Sequence, residues 1–182
     1  MKFKIVLISF CLVFSGFKGI SQEVFPKSWE GNYKGELQIY GVDSVQMKVT
    51  MQLAIAKKTD SLYQWKMTYN YRGKEDVRAY ELIVKNHSKG HYIIDEKNSI
   101  LIDGFYKSGI FTSFFEVMNS FIISTYTKKE DVIIFEIISA NGNNNTKSGN
   151  QKIENEEIPE VTSYLVNGRQ KAVLKKEDVS SN

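Results

Sequence analysis

The chain has little of what usually makes a function readable. It carries one cysteine, two prolines and two histidines in 182 residues. The cysteine, Cys11, lies in an apolar N-terminal run. Past that run there is no thiol for a disulfide, a metal site or a nucleophile. The histidines, His87 and His91, are four apart, a spacing that suits zinc on one helix face. Here they bracket Ser88-Lys89-Gly90, which reads as a turn, and no third ligand is apparent; the expectation is no metal and no cofactor. No long stretch keeps an apolar period of 3.6, so no strong helix is expected. Nucleophile elbow, phosphate loop, dinucleotide glycine fingerprint and HExxH are all missing. No catalytic residue is assigned, and the expectation is not an enzyme.

Charge of one sign is lacking too. The first 21 residues read as a signal peptide: Lys2 and Lys4 make a basic start, Ile5 to Phe14 is apolar apart from Ser9, and Gly19 and Ser21 suit a cleavage site before Gln22. That run is too short for an ordinary membrane span. Of the 24 basic residues, Lys2, Lys4 and Lys18 lie in this segment, which holds no acid. Residues 22–182 therefore balance their bases against the 21 acids, and no basic footprint for nucleic acid remains. The expected product is one exported domain, 22–182, periplasmic or secreted, with no transmembrane span in the mature chain.

What the chain has in abundance is alternation. Val45, Met47, Val49, Met51, Leu53 and Ile55 alternate with polar or small residues, and Tyr63, Trp65, Met67, Tyr69 and Tyr71 do so again. Strand side chains point to opposite faces in turn, so each stretch is a strand with one apolar face. Strands are expected at 32–40, 45–57, 62–72, 77–86, 91–95, 100–106, 110–117, 121–128 and 132–140. The breaks between them are short and hold Gly, Asn, Asp or Ser. A parallel crossover needs about a dozen residues, so each strand should turn back on its predecessor. A meander this long twists, and closure removes its edges. The fold class is all-β, an antiparallel up-and-down meander closed into a barrel of about eight to ten strands.

Two segments stand apart. Residues 141–157 hold almost no apolar side chain and read as a flexible polar loop. After it, 161–166 and 170–175 flank Asn167-Gly168, a pair that favours a type I′ hairpin and would bring back the closing strand. From Phe111 to Ile138 apolar residues occupy both faces, so something should cover the outer one: the terminal segment, which is the favoured cover, a second subunit or lipid.

Trp29 followed by Gly31-Asn32-Tyr33-Lys34-Gly35 resembles the G-x-W opening strand of calycins, the lipocalin, fatty-acid-binding and nitrobindin-like barrels, with Tyr33 where they have Trp. It is similar as well to small uncharacterised exported bacterial proteins with a W-x-G-x-Y-x-G start, to which Tyr80-Glu81-Leu82 and Tyr92-Ile93-Ile94-Asp95-Glu96 also fit. The resemblance implies a calycin-like barrel whose interior can hold a small apolar ligand. It implies that Tyr33 or Trp29 packs at the base, with Arg169 as a partner. Haem, which nitrobindin-like barrels hold through a late histidine, is not expected, since no histidine follows His91.

The candidate ligand-binding residues are Tyr33, Met47, Met51, Trp65, Tyr69, Arg78 and Tyr80, with Arg78 and Tyr80 placed to orient a polar end. The plainer reading is that these side chains simply fill the core. Glu81, Asp103, Glu116 and Glu136 lie inside strands and are expected to face solvent. Asp43-Ser44-Val45 and Asp60-Ser61-Leu62 resemble a bacterial O-glycosylation acceptor, which would put sugars on Ser44 and Ser61 in loops. Three functions stand open: a carrier of a small hydrophobic ligand, an envelope interaction module or homo-oligomer using the apolar outer face around 111–138, and, less favoured, a small outer-membrane barrel.

Overall fold

The computed structural model describes residues 24–178; the expected signal peptide and Cys11 lie outside the described residues. A short 3₁₀ turn, Lys27–Trp29, leads into the strands. These are β1 (Gly31–Tyr40), β2 (Val45–Lys57), β3 (Leu62–Tyr71), β4 (Lys74–Asn86), β5 (His91–Asp95), β6 (Leu101–Lys107), β7 (Ile110–Val117), β8 (Ser120–Lys129) and β9 (Val132–Ser148). A small pair, β10 (Gln151–Ile153) and β11 (Glu156–Ile158), precedes β12 (Val161–Lys176). Ten strands close into an antiparallel barrel in which β12 lies between β9 and β1, while β10 and β11 pair only with each other. The expected up-and-down meander is the observed fold, and it is compatible with a calycin-like barrel.

Tight turns make the meander possible. Arg72-Gly73, Ser108-Gly109 and Met118-Asn119 each place two successive residues at positive φ, the geometry that matches the twist of flanking strands. Closure depends on Gly35, paired with Leu174 of β12. A Cβ there would run into the Val173 carbonyl, so only glycine lets the first and last strands approach. The chain also leaves the barrel where it entered, the Glu177 N–H donating to the Asn32 carbonyl at 2.8 Å.

Two expectations are corrected here. Asn167-Gly168 is not a hairpin: β12 runs straight through it, with a register shift between Val166 and Gly168. The extra residue is a bulge, and Asn167 Oδ1 accepts a hydrogen bond from the Ser139 hydroxyl of β9 at 3.0 Å. The polar segment after Ala140 is not an unstructured loop. Thr146, Lys147 and Ser148 pair with Ser163, Thr162 and Val161, so β9 and β12 continue past the barrel rim as a two-stranded arm ending in β10 and β11. Asn141 makes the transition, its side chain accepting from the N–H groups of Asn143 and Asn144.

The core fills the lower half of the lumen. Phe25 and Trp29 plug the base and meet Tyr33, Trp65, Tyr92 and Phe111. Phe25 stacks on Tyr106 at 4.5 Å and meets Trp29 and Tyr92 edge-on at 4.9 and 4.8 Å. The plug is tied by two phenols, Tyr33 donating to the Trp29 carbonyl at 3.0 Å and Tyr92 to that of Phe25 at 3.1 Å. Offset and edge-on aromatic pairs contribute roughly 0.5–1.5 kcal/mol each beyond area burial.

Candidate functional site

Depth along the lumen separates the inward side chains into two groups. At the base and waist they are sealed: Tyr33, Met51 and Trp65 are fully buried, as are Leu82, Ile133 and Leu174. Nearer the rim the inward positions are half-buried or exposed. Met47, Tyr69, Arg78 and Tyr80 line one side, and Phe115, Ile122, Ser124, Ile137, Ser139 and Gln170 the other. The upper half is thus a cup that solvent reaches, standing on a solid aromatic base. The register makes it so. Trp65 pairs with Tyr80 and Met67 with Arg78 on β3 and β4, while the opposite wall brings Ser113 beside Ser124 and Ser124 beside Ile137. On that wall Ser113, Ser124 and Ser139 alternate with the larger Phe115, Ile122 and Ile137.

Of the seven candidate residues, the structure therefore gathers Met47, Tyr69, Arg78 and Tyr80 at the cup and puts Tyr33, Met51 and Trp65 in the packing beneath it. Two more residues complete the floor: Met67, which alternation already sets on one face with Trp65 and Tyr69, and Tyr126, which the sequence reading did not assign. Met67 is buried on β3, and Tyr126 of β8 rises beside it. The Tyr126 hydroxyl donates to the Met67 sulfur at 3.3 Å and the Tyr69 hydroxyl to the same sulfur at 3.5 Å. The inward alternation Ile122, Ser124, Tyr126 was the available signal for Tyr126. Gly104 makes room for this floor, since a Cβ there would collide with the Phe111 ring and stand 2.9 Å from Ser113 Oγ.

Electrostatics grade the cup from dry to wet. Burial pushes the Tyr69 phenol up to about 12 and raises that of Tyr126 further, so both are neutral donors at physiological pH. Arg78 lies over the Tyr69 ring at 5.2 Å and its Nε is 3.2 Å from Asp76 Oδ2. The cation at the mouth is already paired. Trp65 Nε1 is buried and, among the described residues, closes no hydrogen bond of good geometry, although it stands near enough to the Tyr126 oxygen to favour the phenolate slightly against the burial that disfavours it.

Elsewhere the structure gives the chemistry-bearing residues other work. Arg169 is not at the base: it lies near the rim on the outer face, 5.3 Å from the centre of the Tyr40 ring. The cation near Tyr33 is Lys176, 6.0 Å from the ring centre. His87 Nδ1 is 3.0 Å from the Tyr92 hydroxyl, and His91, stacked on Phe105, is 2.6 Å from Asp103. Among the described residues no group of three His, Cys, Asp or Glu is placed to hold a metal. Glu81 is held by Lys58 and Lys97 at 2.6 and 2.9 Å, and Glu136 lies 3.3 Å from Lys171. These strand carboxylates are on the outer wall and do not converge.

The outer wall has an apolar sector where β7, β8, β9 and β12 meet. Phe114, Ile123, Ile138 and Val166 are exposed there. Ile123, Ile138 and Val166, with Thr125, Glu136 and Arg169, line a shallow groove of about 300 Å³. No family model matches the chain, and no curated protein matches it in sequence.

Proposed function

We propose that this is an exported binding protein that holds a small, mostly apolar molecule in the upper half of its barrel. The observation that carries the reading is the split lumen: a sealed aromatic base under a solvent-reached cup lined by Met47, Tyr69, Tyr80, Phe115, Ile122 and Ile137, with Arg78, Ser124, Ser139 and Gln170 set among them. Concave sites with mostly apolar walls and a few placed polar groups are where small ligands bind, and barrel mouths are a preferred location. A rigid base keeps the ordering cost of binding low. The role is carriage or sequestration, with no chemistry assigned to the site.

Displacement of an environment-sensitive hydrophobic dye tests this. The native protein should bind the dye, and Ser124→Trp, which fills the cup, should abolish binding with the melting temperature nearly unchanged. Dye binding that survives Ser124→Trp, or no binding at all, overturns the reading.

A second reading is favoured by the apolar sector of the outer wall, which would serve as an interaction surface. On that reading, light scattering at high concentration should show association that Ile123→Lys abolishes. A strictly monomeric native protein would remove its self-association form. A lipid-facing belt is less well supported, because the same wall on β1–β3 carries Lys34, Glu36, Lys48, Gln52 and Lys66.

A further inference from the structure

Hydrogen-bond supply at the cup floor is unbalanced. Three donors meet there: the Tyr69 and Tyr126 hydroxyls and the Trp65 indole N–H. Both hydroxyls donate to one thioether sulfur, a weak acceptor, and among the described residues the indole N–H closes no bond of good geometry, with the Tyr126 oxygen near it but not in place to accept. Trp65 is fully buried and Tyr126 nearly so. Buried donors left unsatisfied are rare in folded proteins and call for an explanation.

Building on the cup reading, we propose that the bound molecule carries an uncharged acceptor oxygen, a ketone, ester or quinone carbonyl, which enters first and takes the Tyr69, Tyr126 and Trp65 donors at the floor. Charge decides between a neutral acceptor and a carboxylate. The donors are neutral, and Arg78 stands at the mouth and is already paired with Asp76. An anion at the floor would lose its hydration without a free counter-charge, a loss that a neutral carbonyl does not suffer. Met67 is the side chain that yields. Its unbranched thioether has three rotatable bonds and can swing aside as the oxygen replaces the sulfur.

Three probes of one shape test this: acetylnaphthalene, ethylnaphthalene and naphthoate, titrated calorimetrically into the native protein. The ketone should bind about tenfold more tightly than the hydrocarbon, the worth of one good hydrogen bond, and naphthoate should bind more weakly than either. Tyr126→Phe should remove the advantage of the ketone and leave ethylnaphthalene unaffected, whereas a merely structural loss would weaken both. The chain has two tryptophans, so the Trp65 indole N–H can be followed by NMR, and it should shift downfield with the ketone only. Equal binding of ketone and hydrocarbon overturns this inference and leaves the cup reading standing; a permanently bound water at Trp65 would produce that result. Tighter binding of naphthoate overturns it as well. No binding by any of the three overturns both.

Discussion

Single residues in this barrel are constrained mainly by closeness. Gly35 is the sharpest case, because the atom a larger residue would strike is backbone of the neighbouring strand and cannot rotate away. Gly35→Ala should destabilise the fold by about 3 kcal/mol, the upper end of overpacking costs, as read from the urea midpoint. The buried phenols make a second prediction. Burial raises Tyr33, Tyr69 and Tyr92 to about 12 from an unfolded value near 10. Between those values the folded state retains protons that the unfolded chain releases. Stability is therefore fully present below about pH 10 and falls as pH rises toward 12. A denaturation series should show a steep alkaline loss in that window, with phenolate absorbance rising together with unfolding. Flat stability from pH 10 to 12 would contradict the packing of these rings.

The strands were the most legible part of the sequence. The bounds expected for 45–57, 91–95 and 110–117 coincide with β2, β5 and β7, because period-two patterning and Gly, Asn or Ser punctuation agree there. At Asn167-Gly168 they did not agree with the fold. The local preference for a tight turn was real, but β12 has β9 on one side and β1 on the other, and pairing along both edges outweighs one dipeptide. The polar stretch from Asn141 was misread for the converse reason: composition signals a want of core, and a two-stranded arm in water has none to show. Because β10 and β11 pair only with each other, replacing residues 149–160 by Asn-Gly between Ser148 and Val161 should change barrel stability by less than about 0.5 kcal/mol. A large drop in the thermal midpoint would mean that the arm braces the wall.

For the whole molecule, alternation told which face of each strand looks inward but carried no information about depth. Tyr33, Met51, Trp65 and Tyr69 obey one pattern in the sequence, yet the first three lie in the packed base and the last lines the cup. Depth is set by how far neighbouring strands are staggered and by what plugs the lower end, and Phe25, which does much of the plugging, lies outside every strand. The donor cluster was illegible for the same reason, since Tyr126 and Trp65 are 61 positions apart in the chain and meet only after closure. The doubly greasy strands around 111–138 do present apolar groups outward, but the terminal segment expected to cover them is β12 of the wall itself, so Phe114, Ile123 and Ile138 are exposed.

Adjacent placement of β1 and β12 also sets how the molecule can be presented. The hydrogen bond between Asn32 and Glu177 puts the start of the barrel and its finish side by side at the plugged end, away from the opening. An affinity handle or fusion partner joined at either side of that seam leaves access to the interior unobstructed. By the same geometry, a linker that runs from Asp178 back to Val24, so that the Phe25 and Trp29 plug is kept, combined with a cut at Arg72-Gly73, should yield a circular permutant that retains its dye binding.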